Sequence, residues 1–349
     1  MCRKGTSENL FLSGRQASNT AVRMTDIFNR VWNTDDVKFN TLALEIFHYQ
    51  RQHNPIFNKW LDVNGNKQPE SPAEIPFLPI DFFKQYRVAS FNEPEALVFE
   101  SSGTGQSGVS RHFLQNHEYY ICNFRKCFEM QYGPASDFAW LCLLPGYLER
   151  KNSSLVFMAD DFVKNGISGS DYYLYDYPKL IRQIEANEKN GTPGILMGVT
   201  FALKELAEIY EGPPLKHTLI METGGMKGRG PELTRTELHE NWCRKFGVNA
   251  IHSEYGMTEL MSQAYSKGNG RFVCPPWMKI MIRDISDPGN WLHTGKTGII
   301  CVVDLANVQS CSFIATQDLG KLHEDGSFEV LGRHDQSEVR GCNLLVSEN

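Results

Sequence analysis

The sequence predicts an α/β fold, a mainly parallel sheet with helices on both faces, followed by a smaller, mainly β segment. Three observations predict it. Between Ala139 and Ile251 short apolar runs alternate with amphipathic stretches, the pattern of strands joined by crossover helices. Two glycine-rich loops, Ser101–Gly108 and Thr223–Gly228, directly follow strand-like runs. Beyond about residue 270, Pro275-Pro276, Pro288-Gly289, Gly295 and Gly298 punctuate β-rich runs instead of helices. The chain therefore divides into a flexible polar arm over residues 1–20, an α/β body over 21–270, and a mainly β segment over 271–349.

In chain order, Asp35–Trp60 is helical: Phe39, Leu42, Ala43, Ile46, Phe47 and Gln50 recur at three- and four-residue spacing, and Asn54-Pro55 breaks the run. Such a stripe is a core face. Asn64-Gly65-Asn66 is a turn, and Pro79–Lys84 enters a short helix. Leu97–Glu100 is a strand, and His112–Met130 reads as a helix with Tyr119, Tyr120, Phe124 and Phe128 inward. Ala139–Leu144 is a buried strand ending at Pro145-Gly146-Tyr147, where Pro145, Tyr147 and Leu148 either border an apolar slot or simply pack. Ser154–Met158 is a further apolar segment. Ile181–Glu188 is a helix, Gly194–Val199 a strand, Ala202–Tyr210 a helix stopped by Gly212-Pro213-Pro214, and His217–Glu222 a strand. Thr234–Lys245 is an amphipathic helix with Leu238, Trp242 and Phe246 on one face. A short apolar run ending at Ala250-Ile251 leads into Ile251–Glu259, with a helix expected over Leu260–Tyr265. In the last segment 299–303 and 312–316 are strands, and Asp325-Gly326 is a hairpin turn.

Composition narrows the function. With 349 residues the chain buries a large core, and 41% hydrophobic with 22% charged residues is ordinary for a soluble globular protein. A net charge of -6 without Lys/Arg runs gives no reason to expect nucleic acid or an anionic membrane as partner. The nine cysteines are scattered, with no Cys-x-x-Cys pair, which argues against a zinc ribbon or thioredoxin site. With no signal-peptide pattern they read as reduced thiols of a cytoplasmic protein. The longest apolar runs are too short to span a bilayer.

Chemistry concentrates at the strand ends. In Ser101–Gly108, three glycines and four hydroxyls give backbone N–H groups that suit phosphate oxygens. Gly103 and Gly108 have Walker A spacing, but Val109 stands at the lysine position, which argues against a P-loop NTPase. In Tyr255-Gly256-Met257-Thr258-Glu259 an aromatic face, a hydroxyl and a carboxylate follow a strand, the parts needed to stack a base, contact a phosphate and hold Mg²⁺. Asp318 lies in Ala-Thr-Gln-Asp-Leu-Gly, either as a ribose-binding carboxylate or as a turn former.

Taken together and in this order, Ser101–Gly108, Gly224-Gly225-Met226, Tyr255–Glu259, Asp318 and Gly332-Arg333-His334-Asp335 resemble the adenylate-forming enzymes: acyl-CoA synthetases, peptide-synthetase adenylation domains and luciferases. The resemblance implies that family's N-terminal domain fold, with ATP and Mg²⁺ as cofactors. It implies a phosphate loop from Ser101, Ser102, Gly103, Thr104 and Gly105, and an adenine side from Gly224, Gly225, Met226, Tyr255 and Gly256. Thr258 would contact the α-phosphate, Glu259 would hold Mg²⁺, and Asp318 would bind the ribose hydroxyls with Arg333 assisting. Two departures stand out. Val109 replaces the loop lysine, and the chain ends shortly after Arg340, so the mobile C-terminal domain that carries a catalytic lysine in most of the family is expected to be lacking.

A short branch, the acyl-protein synthetases of the bacterial bioluminescence fatty-acid reductase, is similar nearly end to end. The likeness includes Phe39–Leu44, Pro145–Arg150 and the tail Arg340-Gly341-Cys342-Asn343-Leu344. That branch implies a long-chain fatty acid substrate, acyl transfer from AMP to Cys342, and delivery to a partner reductase. Three readings remain open. They are transfer to Cys342, transfer to CoA or a carrier-protein thiol with Cys342 a small buried residue, and a non-catalytic nucleotide- or acyl-binding partner protein.

Overall fold

A computed structural model describes residues 26–65, 68–102, 108–145, 152–224 and 235–334. Residues 26–32 (α1) are followed by α2, Asp36–His53, and α3, Pro55–Val63. Asp35 caps α2 by accepting from the Lys38 N–H, and Asn54 caps α3 by accepting from the N–H groups of Ile56 and Phe57. Pro55 suits the first turn of α3, where its missing N–H costs nothing. The predicted stripe from Phe39 to Gln50 is the buried face of α2.

Strand β1, Leu78–Pro79, precedes the short helix α4, Phe82–Gln85. Strands β2, Leu97–Glu100, and β3, Arg111–Leu114, form a separate antiparallel hairpin that brackets the glycine- and hydroxyl-rich loop. Here the structure corrects the expected helix over His112–Met130. His112 is paired with Phe99 across the hairpin, and α5, His117–Tyr132, starts only where Asn116 caps it by accepting from the Glu118 N–H.

The parallel body follows: β4 (Ala139–Leu143), α6 (Ser154–Asn165), β5 (Asp171–Tyr172), α7 (Tyr177–Asn190), β6 (Gly194–Val199), α8 (Thr200–Ile209), β7 (Thr218–Thr223), α9 (Arg235–Phe246) and β8 (His252–Tyr255). The apolar segment Ser154–Met158 lies in α6. Its strands run side by side in the order β5-β4-β6-β7-β8, every pair parallel. All residues of β4 and β6 are buried, so these strands read as continuous apolar runs, not as alternating ones.

From β8 the direction changes. β9 (Ala264–Ser266), β10 (Arg271–Val273), β11 (Met278–Arg283), β12 (Thr297–Asp304), β13 (Phe313–Leu322) and β14 (Phe328–Arg333) continue the same sheet in the order β9-β10-β14-β13-β12-β11, all antiparallel, with β1 parallel to β13. The expected helix over Leu260–Tyr265 is absent. The Asp304 carboxylate takes the N–H groups of Met261 and Ser262, which holds the segment open until β9 pairs with β8. The predicted turn at Asp325-Gly326 joins β13 to β14, with Gly326 at φ +80°.

An aromatic cluster seats α5 and α6 on β4. Trp140 stacks on Phe162 with centroids 4.2 Å apart and an interplanar angle of 13°, and Phe128 lies 4.9 Å from Trp140. Both stacked rings are fully buried. Phe162→Ala is expected to lower stability by about 3–5 kcal/mol. Urea unfolding checks this, and a loss well under 1 kcal/mol would show that the cluster does not hold the body together.

Candidate active site

Tyr255 ends β8, the last parallel strand, so residues 256–262 emerge where the sheet changes direction. Buried polar side chains fix their path. His112 Nδ1 donates to the Thr258 carbonyl at 2.8 Å, and Asn307 Nδ2 donates to the Glu259 carbonyl at 2.8 Å. Asn307 Oδ1 lies 3.1 Å from His112 Nε2. Burial pushes the His112 pKa down to about 4, against the hydrogen bonds to Thr258 and Asn307 that raise it. Asp304 accepts from Met261 N and Ser262 N, each at 2.9 Å, from Ser262 Oγ at 2.7 Å and from Ala306 N at 3.1 Å. Burial raises its pKa despite these four donors.

The segment that supplies Asp304 and Asn307 is itself anchored. Gln50 Nε2 donates to the carbonyls of Asn307 and Val308, Gln50 Oε1 accepts from Ser312 N, and Asn54 Nδ2 donates to the Ser310 carbonyl. The junction of α2 and α3 thus holds residues 304–312, and those hold Thr258 and Glu259.

On one side of β8, Tyr255 Oη donates to Asp318 Oδ2 at 2.9 Å, and Arg333 Nε stands 3.7 Å from Asp318 Oδ1. Asp318 and Arg333 are direct partners across β13 and β14, so Asp318 lies within a strand and its turn-former reading falls away. Burial raises the Asp318 pKa, opposed by Arg333, the Tyr255 hydroxyl and Arg235. Tyr255 itself is packed, its ring edge-on to Phe328 at 5.4 Å and tilted against Phe272 at 5.9 Å.

Glu259 is 5% exposed, and burial raises its pKa against a hydrogen bond from the Ser110 hydroxyl. Ser110 N in turn donates to Ser101 Oγ at 2.9 Å, and Ser101 N donates to the Ser110 carbonyl at 3.0 Å. The loop entrance and the candidate metal carboxylate are therefore physically linked. Gly224 follows β7 at φ +74°, a conformation that favours glycine. At Gly256 a Cβ would lie 2.3 Å from Glu254 Oε1, so a larger residue there would displace that carboxyl.

The structure thus brings Ser101, Ser102, Gly224, Tyr255, Gly256, Thr258, Glu259, Asp318 and Arg333 to the strand-end region. Gly103, Thr104, Gly105, Tyr147, Leu148, Gly225, Met226, Asp335 and Cys342 lie outside the described residues. Sequence reading missed Ser110, His112, Asp304 and Asn307, whose only signal is a polar residue beside apolar strand positions. It also missed two buried acids. Glu222, at the end of β7, accepts from Thr200 Oγ1 at 2.7 Å and His239 Nε2 at 2.8 Å, with Arg235 Nε 3.4 Å away. Burial would raise its pKa, yet His239 and Arg235 bring it below the usual value. Glu254 accepts from Thr223 Oγ1, and burial pushes its pKa up to about 7. Burial likewise raises the thiols of Cys127, Cys142, Cys243, Cys274, Cys301 and Cys311, away from thiolate reactivity. No described helix is long and apolar enough to cross a membrane.

No protein-family model matches the chain, and no curated protein sequence matches it. Solved structures do. One is the O-succinylbenzoate coenzyme A synthetase MenE from Bacillus subtilis in complex with ATP and magnesium ion, 21% identical with a TM-score of 0.50, covering 69% of this chain and 50% of that one. Another is a long-chain-fatty-acid-CoA ligase, FadD1, from Archaeoglobus fulgidus, 16% identical with a TM-score of 0.52, covering 72% and 54%. A third is an open conformation of 2-hydroxyisobutyryl-CoA ligase, 12% identical with a TM-score of 0.61, covering 88% and 78%. The chain has the fold of part of these ligases and spans about half the length of the first two.

Glu254 gives a pH test. Its folded pKa, about 7, lies above the ordinary 4.5, so the folded state holds the proton more tightly. This contribution is complete below pH 4.5 and is lost as pH rises through about 7. Its full size is about 3 kcal/mol. Stability measured by urea between pH 4.5 and 8 is expected to fall more steeply in the wild type than in Glu254→Gln. Parallel curves would show that Glu254 is not held as the acid.

Proposed function

We propose that the chain activates a carboxylic acid with ATP and Mg²⁺ to an acyl-adenylate, and that the acyl group then passes to the thiol of Cys342. The observation that carries the first half is the convergence of Thr258, Glu259, Tyr255 and Asp318 around one strand end, tied through Ser110 to the glycine- and hydroxyl-rich loop. Several solved structures of the same fold are named as CoA ligases, and one is described with ATP and magnesium.

The residues present suit the nucleotide and the metal. Among the described residues no three His, Cys, Asp or Glu side chains gather into a metal cage. Mg²⁺ needs none, since it commonly binds one or two carboxylates together with substrate phosphates. Glu259 would supply that carboxylate. When bound, the ion neutralises charge that develops on the phosphates. Asp318 keeps free lone pairs for ribose hydroxyls while Tyr255 and Arg333 fix its orientation. Thr258, its carbonyl clamped by His112, would present its hydroxyl and N–H to the α-phosphate. In the first step an oxygen of the acid bonds to the α-phosphorus and the bond to the pyrophosphate leaving group breaks. In the second, the Cys342 sulfur bonds to the acyl carbon, the bond to the AMP oxygen breaks, and AMP leaves.

The long acyl chain and the partner reductase rest on the resemblance to acyl-protein synthetases. Transfer to CoA is the second reading, favoured by the CoA-ligase names of the structural neighbours.

Acid-dependent exchange of labelled pyrophosphate into ATP tests the first step. Wild type is expected to exchange, and Glu259→Gln to lose on the order of 10²-fold or more. Intact-mass spectrometry tests the second. The acyl adduct is expected on wild type and not on Cys342→Ser, which should keep its exchange activity. Exchange that needs no acid overturns adenylation. An adduct that survives in Cys342→Ser, or CoA thioester made equally well by it, overturns the role of Cys342.

A further inference from the structure

The face of β8 opposite Asp318 carries a group of buried polar atoms that the adenylation chemistry leaves unused. Successive strand residues point to opposite faces, so Glu254 faces away from Tyr255 and Asp318. One Glu254 oxygen, Oε2, accepts from Thr223 Oγ1. The other, Oε1, stands over Gly256. Directly across β9 from Glu254 is Tyr265. Its ring is 1% exposed, and its hydroxyl has no partner among the described residues. Gln263, 3% exposed, leaves its Oε1 without a described partner, and its Cγ lies 3.3 Å from the same point over Gly256 that Glu254 Oε1 borders. An ionised Glu254 would raise the pKa values of the buried Tyr120 and Tyr265 hydroxyls, so both lie within its electrostatic reach.

Two buried polar atoms without a described partner, those of Gln263 and Tyr265, next to the buried carboxyl of Glu254 are unusual, because a buried polar atom without a partner forfeits its hydration for nothing. Beside them stands an apolar wall. Phe99, Tyr120 and Phe157 contact one another with centroids 4.9–6.0 Å apart. An occupant that satisfies both must carry a hydrogen-bond donor on an otherwise apolar frame. The proposed nucleotide contacts, through Asp318, use the other face, and both faces meet at residues 256–258. An acid reaching the α-phosphate beside Thr258 would therefore bring its chain past Glu254.

We propose that Glu254, Gln263 and Tyr265 recognise a donor group, a hydroxyl or an amine, carried on the acid substrate near its carboxylate. On this assignment, which rests on the adenylation reading, the preferred substrate is a substituted acid and not a plain alkanoate. Glu254 Oε1 and Gln263 Oε1 accept from the substituent, and the Tyr265 hydroxyl donates to it or accepts from it.

The test is pyrophosphate exchange with octanoate and with its hydroxy and amino derivatives, substituted on the first or second carbon beyond the carboxylate. At least one derivative is expected to exceed octanoate in kcat/KM by about tenfold or more. Glu254→Ala should remove that preference, chiefly through the KM of the derivative. Tyr265→Phe, which keeps the ring and is expected to fold, should reduce it. The hydroxy and amino series show which donor the site takes. Octanoate used as well as every derivative, or a preference unchanged in both variants, overturns the proposal and leaves water as the occupant. Exchange with no acid at all defeats the adenylation reading and this proposal together, whereas full exchange on octanoate alone defeats only this one.

Discussion

The position of Thr258 and Glu259 depends on hydrogen bonds buried behind them. Asp304 ends β12 and Asn307 lies in the irregular segment just beyond it, and together they fix the backbone from residue 259 to 262 while His112 fixes Thr258. An irregular segment can be buried only if its polar groups are paired, and Gln50 and Asn54 supply the pairing. The stripe on α2 thus does more than fill the core. Its one polar member, Gln50, reaches across to the segment that shapes the candidate site. A strand end without these partners would present a hydroxyl and a carboxylate in no fixed relation. Preorganisation of that kind is what charge stabilisation in catalysis needs.

The sheet explains why the site forms where it does. Strands β5, β4, β6, β7 and β8 run parallel, so their carboxyl ends share one edge, and Thr223, Gly224 and Tyr255–Glu259 gather there. Past β8 the antiparallel strands fold back, and β13 and β14 bring Asp318 and Arg333 against Tyr255. A ligand crevice at a change of strand direction follows from the connections alone. Glu222, held by Thr200 and His239, stiffens the same edge from the opposite face of β7 to Thr223.

Much of this was legible in the sequence. β4 and β6 announced themselves as unbroken apolar runs, α2 as a three- and four-residue stripe, and the site motifs through glycines and hydroxyls set after strands. What escaped has a common cause. His112 looked helical because local pattern cannot show a pairing with Phe99 across a loop, and Leu260–Tyr265 looked helical because its extended path is imposed by Asp304, some forty residues away. Asp304, Asn307 and Ser110 looked unremarkable for the same reason: their partners are distant in the chain. Glu254 stood in plain view within the central motif, but its burial and its place across from Tyr265 are properties of the packed sheet. Strand direction changes between β8 and β9, ahead of the compositional change near residue 270, and within one continuous sheet.

The most direct measurement is calorimetric titration with an acyl-adenosine sulfamate, a stable mimic of the acyl-adenylate. Saturable one-site binding is predicted, tighter than for ATP or the acid alone, since the mimic joins both halves of the site. Asp318→Ala should weaken it by about tenfold to a hundredfold, the loss expected for charge-assisted hydrogen bonds to the ribose. No binding, or equal binding by wild type and Asp318→Ala, would contradict an adenylate site at the end of β8.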